Sequence, residues 1–481
     1  MGPSRLLRAI FDFTVPNPAA AIWIGILVLF VLLGSSERLR SRRNLALGAL
    51  LLLAIPMAWV MDLGASGRWT APPVFSAIFL TTAGYAVWAF FLSRRGEPFG
   101  WRPNLMRGGL KAMVAFAIAL DVCVVLGRAP DDAGIYSNLG ARRWYETGTL
   151  PYGDSLLKGP NAPAYGAAAT YGPLMYAAHL PFQLLLLSPT NPPDAVPIDP
   201  AYQRPDALAT KLACLAFFFA SLWALYGIVK RLADGDLALV AVAAYAASPY
   251  VIGLGGKEEV IGGLAFISHI APTAMVLLAL RALDRPVLSG SLLAAAAGVL
   301  FWPAFLFPLW FGWRLWRGEK PWAFVAGFTA VGLALLALVV WFTHAPPGQS
   351  AISMFLKSTL EHQEGTSTLE YGASTMSFWG THPGLAAVLQ QPLFGTTSLF
   401  KPTFLAFAAL ALGAFFLAKG RTVPQFAALT AMLGSAIQLW KTHATGSYVE
   451  WYYPFLLIAL LCAGTEWVSR GAAAAPAQDA R

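Results

Sequence analysis

Residues 109–127 read GLKAMVAFAIALDVCVVLG, and Arg128-Ala129-Pro130-Asp131-Asp132 follows directly. The first stretch is apolar for about five helical turns, which is long enough to cross the hydrocarbon of a bilayer. The second places two adjacent carboxylates where the chain leaves the membrane. Charged groups beside hydrocarbon are costly, so in such a chain they mark a functional position. This boundary indicates both the class of fold and the place to look for chemistry.

The composition of the rest of the chain extends this interpretation. Of the 481 residues, 57% are hydrophobic and 12% are charged, and the apolar residues come in long blocks that do not alternate. We therefore predict an all-α, polytopic integral membrane protein with about 13 transmembrane helices. The predicted spans lie near 18–34, 44–61, 73–92, 109–127, 207–229, 237–252, 260–280, 288–302, 303–313, 322–343, 402–418, 423–439 and 451–468. The short pair 288–302 and 303–313 is alternatively a re-entrant hairpin.

Basic residues give the orientation, because Lys and Arg concentrate in cytoplasmic loops. One side of the predicted topology carries Arg38, Arg40, Arg42, Arg43, Arg94, Arg95, Arg102, Arg107, Lys111, Lys230, Arg231, Arg281, Arg285, Arg314, Arg317, Lys320, Lys419, Arg421, Arg470 and Arg481. This side is predicted to be cytoplasmic and to hold the C-terminus. The protein is then a multi-pass protein of the cell membrane. Its formal net charge of +9 reflects topology, and we expect no nucleic-acid partner.

Three regions follow from the order of spans and loops. Residues 1–108 form an N-terminal membrane addition with three transmembrane helices, 109–468 form the membrane core, and 469–481 form a cytoplasmic tail. Two long loops, 128–206 and 344–401, are predicted to be extracytoplasmic, and long loops usually carry function. An apolar run near 171–187 within the first loop is predicted to be one interfacial helix.

The cysteines and the acidic and histidine residues suggest no metal or cofactor. Cys123, Cys214 and Cys462 all fall inside apolar runs, as small buried hydrophobes do. The histidines and acids show no spacing typical of a metal site. We therefore expect no disulfide framework, no metal and no cofactor.

Several short motifs occur in a particular order around the candidate acids. They are Asp132 and Tyr136, then Gly148, Pro151, Tyr152 and Asp154, then Tyr171, Pro173 and Leu174, and finally the run from Gly446 to Pro454. This order resembles the GT-C fold glycosyltransferases, most closely the polyprenyl-phosphate-mannose-dependent mannosyltransferases. The adjacency of Asp131 and Asp132 and the three extra N-terminal spans depart from that family's pattern. The departure leaves open which of the two acids is the base.

The resemblance implies a membrane enzyme that moves a sugar, with mannose as the leading candidate, from a polyprenyl-phosphate donor. The acceptor would be a lipid-linked or glycan hydroxyl on the extracytoplasmic face, and the anomeric carbon would be inverted. Asp132 is implied as the catalytic base, with Asp131 as the second choice. A carboxylate suits this role because the transition state resembles an oxocarbenium ion and a weak base suffices. The alternative is that these acids only cap a helix or begin a loop.

The remaining candidates would bind the donor and the acceptor. The leaving phosphate needs cationic partners, and the candidates on the outer side are Lys441, His443, Arg142, Arg143 and Arg128. The candidates for contact with substrate are Tyr136, Tyr152, Asp154, Lys257, Glu258 and Tyr448. Each set has a plainer alternative: snorkelling for Lys441, contact with lipid headgroups for Arg142 and Arg143, and internal pairing for Lys257 and Glu258.

Two other classes of protein compete with the enzyme. The chain could be a transporter or flippase for a lipid or solute, or a non-catalytic subunit related to GT-C enzymes. Transporters tend to place ionisable residues at the bilayer midplane, where this chain has few. Asp121 lies within the fourth span, where it either pairs with a neighbouring helix or lines a cavity. His269 is expected to be a hydrogen-bonded core histidine. The expected partners are the donor, the acceptor and membrane lipids, and the oligomeric state stays open.

Overall fold

The computed structural model describes residues 28–35, 40–50, 52–53, 72–94, 96, 98–127, 130, 132–152, 169–186, 205–252, 254–255, 260–261, 263–361, 400–440 and 448–466. Helices make up most of these ranges, and the predicted all-α fold is confirmed. Helical stretches at 28–33 and 42–50 precede the numbered helices.

The helices are numbered here from residue 72 onward. They are α1 (Pro72–Arg94), α2 (Arg107–Gly127), α3 (Asp132–Thr147), α4 (Pro173–Ala177), α5 (Leu180–Leu186), α6 (Pro205–Leu232), α7 (Gly235–Ala246), α8 (Pro249–Ile252), α9 (Ile267–Arg281), α10 (Pro286–Val299), α11 (Phe307–Arg317), α12 (Pro321–Phe342), α13 (Ala351–Leu356), α14 (Phe400–Leu417), α15 (Val423–Trp440) and α16 (Tyr453–Leu461). Tighter or wider turns occur at Trp302–Leu306 and Tyr448–Trp451, which are 3₁₀, and at Lys357–Glu361, which is π-helical. Two short antiparallel strands, β1 (Leu254–Gly255) and β2 (Val260–Ile261), pair Leu254 with Ile261.

Three of the described helices are long and apolar enough to cross a membrane by length and composition. They are Arg107–Gly127, Leu208–Leu232 within α6, and Pro321–Phe342. Shorter apolar helices occupy Gly235–Ala246, Ile267–Arg281, Pro286–Val299, Phe404–Leu417 and Val423–Leu439. The helices thus agree with a membrane protein, while the count of about 13 spans and the sidedness remain predictions.

Three predicted segments differ from the structure for local reasons. The span predicted at 260–280 begins only at Ile267, because β2 occupies its start and Gly263 has φ +103°, a conformation that favours glycine. The last predicted span is shortened to α16, since a 3₁₀ turn precedes it and Gly464, with φ +78°, follows it. The single interfacial helix is instead the two short helices α4 and α5.

The short helices α10 and α11 follow each other closely in the chain. The 3₁₀ turn at Trp302–Leu306 connects them, with Pro303 in its first turn. The Nη2 of Arg314, in the last turn of α11, donates to the carbonyl oxygen of Leu283 at 3.0 Å, just before α10 begins. The start of α10 and the end of α11 therefore lie close to each other in the bundle.

Close contact of backbones joins α10 to α12. A Cβ built on Gly290 of α10 would lie 2.1 Å from the carbonyl oxygen of Phe324, and one on Gly327 of α12 would lie 2.1 Å from that of Val287. Atoms cannot approach so closely, so only glycine permits this spacing. Small residues that let backbones touch are the usual means by which helices associate in membranes.

The α6–α7 hairpin and α2 form the part of the bundle beneath the candidate acids. The Oδ1 of Asp234 caps α7 by accepting from the backbone N–H of Asp236 at 2.9 Å and of Leu237 at 2.7 Å. Helix α7 packs against both α6 and α2, and α3 then lies across α6 and the start of α9. The Asp234 cap fixes the residue at which α7 begins, and the contacts with α6 and α9 fix the position of α3.

The α10–α12 contact can be tested with two alanine substitutions on the same helix. We expect Gly327→Ala to destabilise the protein by about 1–3 kcal/mol, because the new methyl group would strike the backbone of α10. A Cβ at Gly332 meets nothing within 4 Å, so Gly332→Ala is the matched control. Thermal unfolding in detergent measures both. Equal unfolding temperatures for the two variants would contradict the close contact.

Candidate functional site

Helix α3 begins at the first candidate acid. Its first residue is Asp132, and α2 ends at Gly127, so only a short connection separates the two helices. Helix α3 has 16 residues and packs against α4, α5, α6 and α9. The backbone of Asp132 thus stands at the N-terminus of a helix held across the bundle. The side chain of Asp132 and the whole of Asp131 lie outside the described residues.

A buried hydroxyl–imidazole pair joins α3 to the α4–α5 segment. The Oγ of Ser137 donates to the carbonyl oxygen of Ala133 at 2.6 Å. The Nε2 of His179 lies 2.9 Å from the same Oγ, so this network assigns the ring proton to Nε2, which donates to Ser137. Both side chains are fully buried. Burial lowers the pKa of His179 to about 3, because the imidazolium would lose its hydration.

A second polar pair lies one residue further along α3 and one turn further along the α4–α5 segment. The Nε2 of Gln183 donates to the carbonyl oxygen of Asn138 at 2.9 Å and also to the side-chain oxygen of Asn138. Both residues are buried. Two adjacent polar contacts therefore fix the rotation of α3 relative to α5, and with it the direction in which α3 presents its first turn.

The turn after α3 is held by tyrosines. Gly148 ends the helix with φ +69°, and its N–H donates to the carbonyl oxygen of Trp144 at 2.9 Å. The hydroxyl of Tyr152 donates to the carbonyl oxygen of Tyr171 at 2.7 Å, and the hydroxyl of Tyr176 donates to the same oxygen at 3.3 Å. Tyr152, a predicted contact for substrate, is fully buried in this arrangement and anchors the turn.

A carboxylate–imidazole pair forms a separate buried cluster near the start of α9. The Nδ1 of His269 and the Oε2 of Glu450 are 2.6 Å apart, and their side chains are 3% and 1% exposed. The ring of Tyr448 lies 4.5 Å from the ring of His269 and 4.1 Å from that of Trp451. His269 is thus the hydrogen-bonded core histidine that the sequence predicts. The predicted substrate contact Tyr448 packs directly on its imidazole.

Other predicted residues lie along α3. Tyr136, one turn after Asp132, and Arg143 are partly buried. The Nε of Arg142 forms an ion pair with the Oε1 of Glu146 at 2.8 Å. Tyr136, Arg142 and Arg143 therefore lie on the same helix as Asp132, with Tyr136 one turn away and the two arginines near the other end.

The remaining candidates fall in parts of the chain that the structure does not describe. They are Arg128, Asp131, Asp154, Lys257, Glu258, Lys441 and His443. The roles predicted for them stay predictions. Within the described ranges, no three His, Cys, Asp or Glu side chains come together as ligands for a metal ion.

The sequence did not identify Ser137, His179, Gln183 and Glu450 as parts of a site. His179 and Gln183 interrupt an otherwise apolar run, which is a signal that a buried polar contact exists but not where its partner lies. Glu450 is the acid within the aromatic run that begins at Tyr448. Its burial depends on packing against α9, which no local pattern reveals.

Comparison of the chain with protein-family models, with curated proteins and with solved structures found no match. The described site offers a helix that begins with an acid at the end of a membrane-length helix, and two buried imidazoles that are each fixed by a hydrogen bond. The two imidazoles are buried, so they hold the surrounding helices in place.

The pKa of His179 predicts how stability depends on pH. The pKa falls from 6.5 to about 3 on folding, so the unfolded chain binds more protons between these values. We expect full stability above pH 6.5 and a loss on acidification of up to about 1.4 kcal/mol per pH unit from this group. Thermal unfolding of wild type and His179→Gln from pH 7 to pH 4 measures it. The variant should lose part of the slope, whereas replacing the exposed His344 by Gln is the control. An unchanged slope in His179→Gln would contradict the assignment.

A double-mutant cycle tests the His269–Glu450 contact. We expect His269→Gln and Glu450→Gln each to destabilise the protein, because each leaves its partner buried without the matching charge or proton. The double variant should cost less than the sum, with a coupling of about 1–3 kcal/mol. The exposed pair of Arg317 and Glu319, 2.8 Å apart, provides a reference cycle with a coupling below about 1 kcal/mol. Equal coupling energies in the two cycles would show that the buried His269–Glu450 contact stabilises the protein no more than an exposed ion pair does.

Proposed function

We propose that this protein is a membrane glycosyltransferase that moves a sugar from a polyprenyl-phosphate donor to the hydroxyl of a lipid-linked or glycan acceptor. The observation that carries the proposal is the position of Asp132, the first residue of α3, directly after a helix that is long enough to cross a membrane. A donor of this kind has its hydrocarbon in the bilayer and its sugar in water, so its reaction needs groups at this boundary. The order of motifs that follows Asp132 is a second support.

The reaction assigns each part of the site a task. The acceptor hydroxyl attacks the anomeric carbon from the face opposite the phosphate, and the bond between that carbon and the phosphate oxygen breaks. The phosphate leaves with the electron pair, and the carboxylate of Asp132 accepts the hydroxyl proton. Helix α3 favours the ionised carboxylate that a base requires, because the N-terminus of a helix carries a partial positive charge.

Distance along α3 separates the candidate base from two of the candidate cations. Arg142 and Arg143 follow Asp132 by ten and eleven residues, which corresponds to about 15 Å along the helix axis. That is longer than one sugar ring. With Asp132 as the base, the leaving phosphate is better served by Lys441 and His443, which precede the cluster of Tyr448 in the chain, or by Arg128. Arg142 and Arg143 are then left to contact the headgroups of surrounding lipids.

A transporter or flippase is the second candidate, and one observation favours it. Asp121 of α2 is fully buried among apolar residues of a helix that can cross a membrane. Transporters commonly hold ionisable groups at such a depth. Transport predicts movement of a lipid or solute across a bilayer without any change in its covalent structure, so the product of the assay distinguishes the two classes.

The proposal is tested by sugar transfer with purified protein in lipid nanodiscs. The donors are a panel of polyprenyl-phosphate sugars, and the acceptor is a membrane glycolipid extract. We expect wild type to transfer at least one sugar and Asp132→Asn to lose about 100-fold or more of the rate, because the general base is removed. Asp131→Asn is assayed alongside to show which of the adjacent acids is the base. Asp236→Asn, which alters an exposed acid paired with Arg107 at 3.5 Å, is the control for loss of an acid as such.

Two outcomes of this assay would contradict the proposal in whole or in part. Lack of transfer by folded wild type with every donor would reject the enzyme and leave the transporter or the non-catalytic subunit. Full activity in both Asp131→Asn and Asp132→Asn would reject these acids as the base while keeping the enzyme. Circular dichroism and thermal unfolding establish that each variant is folded.

A further inference from the structure

Two exposed tryptophans mark the ends of α12. Trp322 is 71% exposed and Trp341 is 83% exposed. Trp341 follows Trp322 by 19 residues, which corresponds to about 28 Å along the helix axis. That length is close to the thickness of bilayer hydrocarbon, about 30 Å, and tryptophan concentrates where hydrocarbon meets water. The spacing indicates that the start of α12 lies at one of the two membrane interfaces.

Aromatic contacts bring the last turn of α11 and the end of α14 to the same level. The ring of Phe311 lies 5.7 Å from the ring of Trp322 and 6.0 Å from the ring of Phe415. The Nε1 of Trp316, in the last turn of α11, donates to the carbonyl oxygen of Phe415 at 3.1 Å. The ring of Trp316 is itself exposed. The interface at the start of α12 therefore also contains the connection from α14 to α15.

Two cations of the α14–α15 connection are held against the end of α11. The Nζ of Lys419 lies 5.3 Å from the ring centre of Trp316. The Nε1 of Trp313 donates to the carbonyl oxygen of Arg421 at 3.0 Å. The Nε of Arg421 donates to the carbonyl oxygen of Leu417 at 3.1 Å. Both cations are therefore held in place by groups that carry no charge.

The charges of Lys419 and Arg421 are not offset by acids in the described part of the chain. The residues from 314 to 322 and from 417 to 422 contain one acid, Glu319, and five cations, which are Arg314, Arg317, Lys320, Lys419 and Arg421. The Oε1 of Glu319 pairs with the Nε of Arg317 at 2.8 Å. No carboxylate of the described residues forms an ion pair with Lys419 or Arg421. A cluster of cations at a membrane interface attracts lipids with anionic headgroups.

An apolar stripe on α14 leads directly to Lys419. Leu405, Leu412 and Phe416 are all more than half exposed. Their spacing of seven and four residues places them on one side of the helix. The stripe from Leu405 to Phe416 is about 16 Å long, and the hydrocarbon of one leaflet, half of the bilayer, is about 15 Å thick. A lipid whose acyl chain lies along this stripe therefore has its headgroup beside Lys419.

This cationic end of the bundle lies opposite the candidate base. The Nη2 of Arg231, at the end of α6, pairs at 2.6 Å with the Oδ2 of Asp284, in the connection that α11 also contacts. The Nε of Arg107, at the start of α2, lies 3.5 Å from the Oδ1 of Asp236 in the first turn of α7. Helix α2 has 21 residues and a length of about 31 Å, and Asp132 follows its other end. The polyprenyl-phosphate donor proposed above therefore belongs to the other interface.

We propose that Lys419 and Arg421 bind the phosphate of an anionic phospholipid whose acyl chain lies along the exposed stripe of α14. The ammonium and guanidinium groups both donate charge-assisted hydrogen bonds to phosphate oxygens. A zwitterionic phospholipid offers the same phosphate but adds a cation to a site that is already positive, so it binds less tightly. A soluble phosphate ester has no chain to cover the stripe. The site is independent of sugar transfer and of the residues assigned to it.

Lipid binding to the purified, delipidated protein tests the proposal. Native mass spectrometry in detergent measures the affinity for phosphatidylglycerol and for phosphatidylcholine with the same acyl chains. We expect phosphatidylglycerol to bind about 25-fold more tightly, because each of the two cations contributes about fivefold to binding of an anionic lipid. Glycerol phosphate and inorganic phosphate at millimolar concentration should not displace it.

Variants of the two cations locate the site. Lys419→Gln should weaken binding of phosphatidylglycerol about fivefold and leave that of phosphatidylcholine unchanged. Lys419→Gln combined with Arg421→Gln should bring the two affinities within about threefold of each other. Lys230→Gln is the matched control, because the Nζ of Lys230 also lies over a ring at a helix end, that of Tyr226 at 5.8 Å. The cation next to Lys230 in the chain is already paired with Asp284, so the control should bind phosphatidylglycerol as wild type does.

Three results would overturn the site. The first is equal affinity of wild type for the two lipids. The second is an equal loss in Lys419→Gln and Lys230→Gln, which would indicate a general effect of surface charge. The third is displacement of phosphatidylglycerol by glycerol phosphate or inorganic phosphate, which would indicate a site for soluble anions.

The test does not depend on the double variant or on enzyme activity. If the double variant does not fold, Lys419→Gln decides, because the side chain of Lys419 is exposed and its replacement leaves the core unchanged. Asp132→Asn should bind phosphatidylglycerol as wild type does. A failure of the lipid site is thereby distinguished from a failure of the proposed sugar transfer.

Discussion

Backbone polar groups cannot stay unpaired in hydrocarbon, and the chain solves this problem differently where helices run and where they stop. Beyond the first turn of α2, α6 and α12, the backbone N–H groups donate to carbonyl oxygens of the same helix. Where helices are short or interrupted, side chains donate to the exposed carbonyl oxygens. Examples are the hydroxyl of Tyr152 on Tyr171 and the indole of Trp451 on Ser268 at 3.1 Å. The interrupted segments lie next to the candidate sites, so polar side chains are concentrated there.

This constraint explains which parts of the fold could be predicted from sequence. A single apolar run in hydrocarbon can pair its backbone N–H and C=O groups only by forming a helix. The predicted helix at 109–127 therefore agrees closely with α2, at Arg107–Gly127. The predicted starts of α9 and α16 were wrong. The conformation of a glycine and the formation of a 3₁₀ turn depend on neighbouring segments, which a hydropathy pattern does not contain. The turn at Gly148 was recognisable, since a glycine between a polar helix and a Pro-Tyr pair is a local signal.

The candidate sites could be predicted only in part. The acid at the end of a span and the tyrosines of the following turn are local features, so the sequence marks them as candidates, and their roles stay predictions. The contact between Ser137 and His179 joins residues 42 apart, and that between His269 and Glu450 joins residues 181 apart. Pairings at such separations depend on how helices pack, and one sequence does not encode them in any local pattern. The same reason explains why the sequence places Asp121 in an apolar helix but does not identify its neighbours.

The glycine contact between α10 and α12 has a consequence for motion. At Gly290 and Gly327 the two backbones touch, so at this level of the contact no side chain separates the helices. Sliding or separation would require the whole contact to break at once, so we expect the two helices to behave as one rigid body. Any rearrangement of the bundle would therefore take place between other helices, with α10 and α12 moving together.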